Sequence, residues 1–157
     1  MSMVTTDASS SPVANSARQL LDANAYLTLA TADAAGRPWA TPVWFAVRDL
    51  REFVWVSRPT RRHSENIAAR AEVALAVFDT TTPVGDATAV YAEALAEQVP
   101  DDALEGALAV YNAGCAASGL RPWAEGSVSG AAPHRLYRAV ASHLWVLDER
   151  EDRVAVY

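Results

Sequence analysis

Two periodicities of hydrophobic and polar residues alternate along this chain, and together they divide it into elements. The run Ser16-Ala-Arg-Gln-Leu-Leu-Asp-Ala23 places Leu20 and Leu21 on one side of a short helix, with Ser16 offering a hydroxyl oxygen as N-cap. Tyr26 to Thr31 is β-rich and alternates with period two, so it reads as a strand. Asp33-Ala-Ala-Gly36 then supplies a hairpin turn in which glycine can take positive φ. A second strand is expected over Trp39 to Val47, a polar turn over Arg48 to Arg51, and a third strand over Phe53 to Ser57.

Pro59 stops the third strand, because its ring fixes φ and it has no N–H to donate. Thr60 to Arg70 predicts a helix with one apolar side, capped by Thr60 or Ser57. Glu72 to Phe78 is an apolar fourth strand expected to be buried on most sides. A Thr/Pro/Gly/Asp linker from Asp79 to Asp86 leads to a fifth strand over Thr88 to Gln98. Pro100-Asp101-Asp102 opens a helix of about three turns, with Leu104, Leu108 and Tyr111 or Cys115 at core-facing spacing. Gly119 to Gly130 is irregular, two strands follow over His134 to Val140 and Ser142 to Asp148, and Val154 to Tyr157 adds a last edge. The expectation is an α+β fold, mainly β, with six antiparallel strands and two or three flanking helices. It forms a single domain over 13–157 after a disordered Ser/Thr-rich tail over 1–12.

Composition narrows the chemistry. A hydrophobic fraction of 51% with 20% charged residues is that of an ordinary soluble globular protein. The net charge of −6 argues against general affinity for nucleic acid or an anionic membrane, since such partners need a basic face. No apolar run approaches a membrane span, and the first residues lack the basic start and apolar stretch of a signal peptide. Cys115 stands alone, so no internal disulfide forms and a reducing cytoplasm is the expected location. All 13 residues counted as Lys+Arg are arginine, which excludes Schiff-base catalysis through lysine. A phosphate must therefore be held by arginine, histidine, hydroxyls or backbone N–H groups.

One segment combines these groups. Ser57-Arg-Pro-Thr-Arg-Arg-His-Ser64 lies at the mouth of a helix, where unpaired N–H groups and the positive end of the dipole favour an anion. Arg61, Arg62 and His63, with hydroxyls from Ser57, Thr60 and Ser64, would complete a phosphate cradle. The alternative is a solvated helix start on a surface whose basic residues are all arginine. Cations at a helix N-terminus oppose the dipole unless an anion is present, which favours the ligand.

The run from Tyr26 to Phe78 resembles the pyridoxamine 5′-phosphate oxidase-like split-barrel family. The points of resemblance are the Leu-Ala-Thr strand, Gly36-Arg37-Pro38 in the first turn, and Thr41-Pro-Val-Trp-Phe45. The Thr-Arg-Arg-His-Ser-Glu-Asn-Ile segment and the Glu-Val-Ala-Leu strand complete it. The resemblance implies a split β-barrel homodimer with flavin mononucleotide (FMN) in a cleft between subunits. It places the backbone of Thr41, Pro42, Val43, Trp44 and Phe45 beside the isoalloxazine ring, and Trp55, Val56 and Ser57 along the ribityl chain. Arg61 and Arg62 fall at the phosphate, with His63 and Ser64 beside them; a register shift of one residue exchanges Arg62 for His63. The true oxidases carry an arginine- and tryptophan-rich C-terminal motif with which His134 to Asp148 does not align. The expectation is therefore an FMN-dependent oxidoreductase acting on an unidentified small molecule, and not a pyridoxamine phosphate oxidase. A deazaflavin-dependent reductase on the same fold and a non-enzymatic flavin carrier or sensor are the alternatives.

Other chemistry-bearing residues are read more plainly. His134 and His143 have no metal-site spacing around them. Cys115 is read as a small buried side chain. Trp123 could be core, or a wall or lid over a ligand in the partner subunit. Arg135 and Arg138 are read as charges on an edge strand.

Overall fold

The computed structural model describes residues 11–157. The expected tail therefore lies outside the described residues up to residue 10, whereas Ser11 and Pro12 belong to the first helix. That helix, α1 (Pro12–Ala23), starts earlier than the periodicity suggested. Ser11, not Ser16, is its N-cap, accepting a hydrogen bond from the Ala14 N–H at 3.1 Å. Pro12 at the first helical position sacrifices no hydrogen bond. The Ser16 hydroxyl instead donates to the Pro12 carbonyl.

β1 (Tyr26–Ala32) and β2 (Pro38–Trp44) form the expected hairpin. Asp33 ties its turn by accepting from the N–H groups of Ala35 and Arg37, and Gly36 takes φ +80°. The second strand does not run on to Val47. It breaks at Phe45, which turns inward, and β3 (Ala46–Arg48) pairs with β4 (Glu52–Ser57) instead of β1. The β3–β4 turn puts both Asp49 and Leu50 at positive φ, 55° and 57°, the hand that matches strand twist in a tight hairpin. Left-handed backbone costs a non-glycine residue roughly 1–2 kcal/mol. Burying the Leu50 side chain returns a comparable amount, about 1.5–3 kcal/mol.

α2 (Arg62–Ala69), β5 (Glu72–Phe78), β6 (Ala89–Gln98) and α3 (Leu104–Ala117) follow near their expected places. β5 is not buried on most sides. It alternates, with Val73, Leu75 and Val77 inward and Glu72, Ala74 and Phe78 exposed. The last two expected strands are one, β7 (Arg135–Leu147), in which Ser142 is the extra residue of a bulge. An inserted residue breaks the hydrophobic alternation while pairing continues on either side, which is why one strand reads as two. β8 (Arg153–Ala155) pairs with β7.

Eight strands, not six, thus form one antiparallel sheet of order β2-β1-β5-β6-β7-β4-β3, with β8 against β7. Its terminal strands, β2 and β3, are consecutive in the chain and joined through Phe45, so the sheet curls into a split half-barrel. The interior holds Leu27, Leu29, Phe53, Trp55, Leu75, Val90 and Leu144, closed by Leu20 and Leu21 of α1 and Ile67 of α2. A second core lies outside, where α3 covers Ala46, Val54 and Leu136. β4 is therefore buried on both faces. Gly114 lets α3 approach β3 closely, since a Cβ there would stand 2.7 Å from that of Ala46. No helix among the described residues is long and apolar enough to cross a membrane.

Candidate functional site

The strand-to-helix junction after β4 builds the site. Arg58 to Arg61 turn tightly, with the Arg61 N–H donating to the Arg58 carbonyl at 3.0 Å, and α2 begins at Arg62. Neither Thr60 nor Ser57 caps it; Arg61 is the N-cap residue, with no side-chain cap hydrogen bond. The Glu65 N–H to the Arg61 carbonyl, at 2.9 Å, closes the first turn. The amides of Arg62, His63 and Ser64 consequently have no intrahelical acceptor. The helix is held in place from behind, where the buried Asn66 side chain donates to Thr31 Oγ of β1 at 2.9 Å.

Beneath the junction lies a small polar cluster. Ser57 Oγ and His63 Nε2 are 2.8 Å apart, and the Ser64 hydroxyl reaches Ser57 Oγ at 3.4 Å. All three side chains are buried. Burial first, and the charge of Arg61 second, hold the His63 pKa below the ordinary 6.5, so the imidazole is neutral at neutral pH. Above it, Arg58, Arg61 and Arg62 are exposed, and none has a carboxylate within ion-pair distance among the described residues. The Arg62 guanidinium rests on the Trp39 ring, 4.4 Å from its centroid. Three uncompensated cations beside an uncapped helix start, in a chain of net charge −6, suit an anion.

β2 supplies the facing wall. The Phe45 N–H donates to the Ala25 carbonyl, so by alternation Val43, Thr41 and Trp39 bond to β1. Pro38, Ala40, Pro42 and Trp44 then turn their backbone groups to the open edge, and both prolines occupy positions where no ladder N–H is needed. The open row holds N–H groups at Ala40 and Trp44 and a carbonyl at each of the four residues, all available to a planar ligand.

Between wall and junction is a cleft of about 450 Å³ lined by Thr41, Pro42, Val43, Trp44, Val56, Ser57, Arg61, Arg62 and His63, together with Trp39 and Tyr111. Three expected members do not line it. Phe45 is turned into the interior, and Ser64 lies beneath, bonded to Ser57. Trp55 is fully buried, stacked on Tyr137 at 6.0 Å, and its indole N–H has no acceptor among the described residues. Trp39 and Tyr111 were missed. Trp39 could have been found, because it shares a face of β2 with Thr41 and Val43.

Elsewhere the edge-strand reading of Arg135 and Arg138 changes. Arg138 is not on an edge: β7 lies between β6 and β4, and the arginine bridges Glu97 and the buried Glu52. Arg135 donates to the carbonyls of Gly130, Ala132 and His134, fastening the preceding loop. Trp123 is held within its own chain, packed edge-on against Tyr111 and His134. Among the described residues no group of three metal-ligating side chains occurs. A larger hollow, of about 770 Å³, is lined by Asp86, Asp148, Glu149 and Glu151, an acidic border that disfavours a phosphate.

The fold is an antiparallel split half-barrel in which an arginine-rich, uncapped helix start faces a proline-bearing edge strand. The chain belongs to the pyridoxamine 5′-phosphate oxidase family, whose sequence model matches residues 13–140. Among solved structures, a heme-binding protein from Mycobacterium smegmatis aligns with TM-score 0.69 at 18% identity, covering 88% of this chain and 55% of that protein. This chain thus spans little more than half of that neighbour's length. A FAD-binding protein from Mesorhizobium loti aligns with TM-score 0.61 at 21% identity, over 85% of this chain and 92% of the other. An F420 reductase aligns with TM-score 0.58 at 23% identity, over 81% and 94%. At these identities the likeness is one of fold. A comparison with curated proteins finds no match.

Proposed function

We propose that this chain binds FMN in the cleft between β2 and the start of α2, and that it is a flavin-dependent oxidoreductase of small molecules. The observation that carries the reading is the uncapped start of α2, with Arg61 and Arg62 free of carboxylate partners among the described residues, placed beside the open edge of β2. The donor set fits a phosphate monoester: amides of Arg62, His63 and Ser64, two guanidinium groups and the Ser57 hydroxyl. Val43, Trp44 and the outward backbone of Ala40 and Pro42 fit the flat, amide-edged ring. Flavin, when bound, supplies hydride or single-electron transfer; the chain contributes position and electrostatics. The neutral His63 fixes Ser57. The segment His134 to Asp148 does not align with the oxidases' C-terminal motif, which supports a substrate other than pyridoxamine phosphate.

A deazaflavin coenzyme, with its own phosphate and flat ring, is the second reading. The same cradle and the F420 reductase neighbour support it. Heme, the ligand of the M. smegmatis neighbour, fits less well: His63, the one histidine in the cleft, has its Nε2 engaged by Ser57. We place the site at a homodimer interface, on the strength of the uncovered outer sheet face, where Tyr26, Phe78, Leu95 and Val140 are 61, 50, 59 and 42% exposed.

Titration of the purified protein with FMN, riboflavin, a deazaflavin coenzyme and hemin tests this. FMN should bind more tightly than riboflavin, and the bound flavin should be reducible by a nicotinamide nucleotide or a candidate substrate. Preference for the deazaflavin selects the second reading. Tight binding of hemin alone refutes both.

A further inference from the structure

Tyr111 is one polar group of the cleft that the phosphate cradle does not use. Its side chain is 6% exposed, yet it borders the same hollow as Trp39, Trp44 and the arginines. A buried phenol ordinarily finds a hydrogen-bond partner within the protein. The Tyr111 hydroxyl has none among the described residues. Nor is it sealed: the one fully enclosed, unpartnered side-chain polar atom among them is Trp55 Nε1. The phenol oxygen therefore retains contact with open space, and the space Tyr111 borders is the cleft.

The ring is held rigidly. Trp44 meets it edge-on with centroids 5.0 Å apart, and Trp123 does so at 6.3 Å. Trp123 is itself clamped by Asn112, the neighbour of Tyr111 in α3. The Asn112 amide donates to the Trp123 carbonyl at 2.9 Å and its oxygen accepts the Trp123 N–H at 2.8 Å. His134 packs on the far side of Trp123 at 5.5 Å. A hydroxyl so fixed loses little freedom when a ligand arrives. Burial, and to a smaller extent the neighbouring Cys115, push its pKa up to about 12, so it stays a neutral phenol that can donate. No carboxylate lines the cleft, so no anionic acceptor there competes for that proton.

We propose that Tyr111 recognises the ring of the ligand, donating a hydrogen bond to an oxygen or nitrogen acceptor on it while the arginines hold the phosphate. This rests on the cofactor reading above and divides the cleft into an anion end and a ring-recognising group contributed by α3. The ligand class is a planar heterocycle with an exposed acceptor edge, joined to a phosphate.

The test is Tyr111→Phe in the full chain, titrated with both FMN and riboflavin and followed by flavin fluorescence. Losing one neutral hydrogen bond should weaken both ligands alike, by roughly two- to thirteenfold. With FMN saturating, the bound flavin should also become harder to reduce, because a donor to the ring stabilises the electron-rich reduced state. A merely structural role moves neither quantity, and the melting temperature should stay level or rise, since the hydroxyl removed is unpaired. Unchanged affinity for both ligands overturns the assignment, as does a loss confined to FMN, which would place Tyr111 at the phosphate. A variant that unfolds overturns the premise that the hydroxyl is unpartnered. If the wild-type protein binds neither flavin, the cofactor reading itself fails and this inference goes with it.

Discussion

Arg61→Ala is the most direct probe of the phosphate cradle, because the structure isolates what the substitution removes. Arg61 is exposed, makes no side-chain cap bond and has no carboxylate partner among the described residues, so its loss should leave the fold nearly untouched. What disappears is a charge-assisted hydrogen bond to the ligand's phosphate, worth about 1.5–3 kcal/mol, or roughly 10- to 150-fold in affinity. Loss should not be complete. Arg62, braced on Trp39, and the amides at the start of α2 remain. Riboflavin has no phosphate and should lose less than about twofold, well under the lower bound of the range for FMN. Isothermal titration or flavin fluorescence at two ionic strengths would measure both. Because the site is exposed, the FMN difference should shrink as salt rises. Equal weakening of FMN and riboflavin would refute the placement of the phosphate, and an unchanged FMN affinity would refute the cradle.

Three further outcomes follow from separate features. Gly114→Ala gains about 1 kcal/mol of helix propensity but drives a Cβ to 2.7 Å from Ala46 on a packed strand. Overpacking of that kind costs about 1–3 kcal/mol, so the melting temperature should fall, and a rise would show that α3 can shift. His63 has a folded-state pKa below its unfolded value near 6.5, so the unfolded chain binds the extra proton. Stability should therefore fall as pH drops from about 6.5 through the lower folded pKa, and His63→Gln should flatten that slope in denaturant titrations; an unchanged slope rejects the account. Light scattering should give about twice the 16.8 kDa chain mass. Leu95→Glu, facing the exposed Val140 across the strand pair, should favour the monomer; a wild-type monomer that binds FMN tightly contradicts the interface site.

The elements that were legible in the sequence are those in which a single face is buried. β1 carries a clean period and begins and ends close to where the turn residues put it. The errors fall where two influences overlap. The break at Phe45 was hidden because hydrophobicity runs unbroken from Val43 to Val47, while strand partner changes from β1 to β4 within it. The Ser142 bulge produced the opposite error, a change of alternation without a change of strand. In both places the composition is right and pairing, a non-local property, decides the outcome.

The same distinction governs the site. That Ser57, Arg61, Arg62 and His63 border one cleft was readable because they lie within one strand end and one helix start, so spacing alone brings them together. On β4 this fails. Glu52-Phe-Val-Trp-Val-Ser57 is buried on both faces, and no polar alternation says which side borders the cleft; Val56 lines it and Trp55 does not. Tyr111 was legible only as a core position, since helical spacing counts it with Leu104 and Leu108 whether or not its hydroxyl finds a partner inside. The distinguishing fact is the missing partner, and that is a property of the packed molecule. A side chain that a distant helix brings to the rim of a cleft is thus one that sequence periodicity files under the core. An unpaired phenol at the edge of a cleft is the physical sign that separates the two.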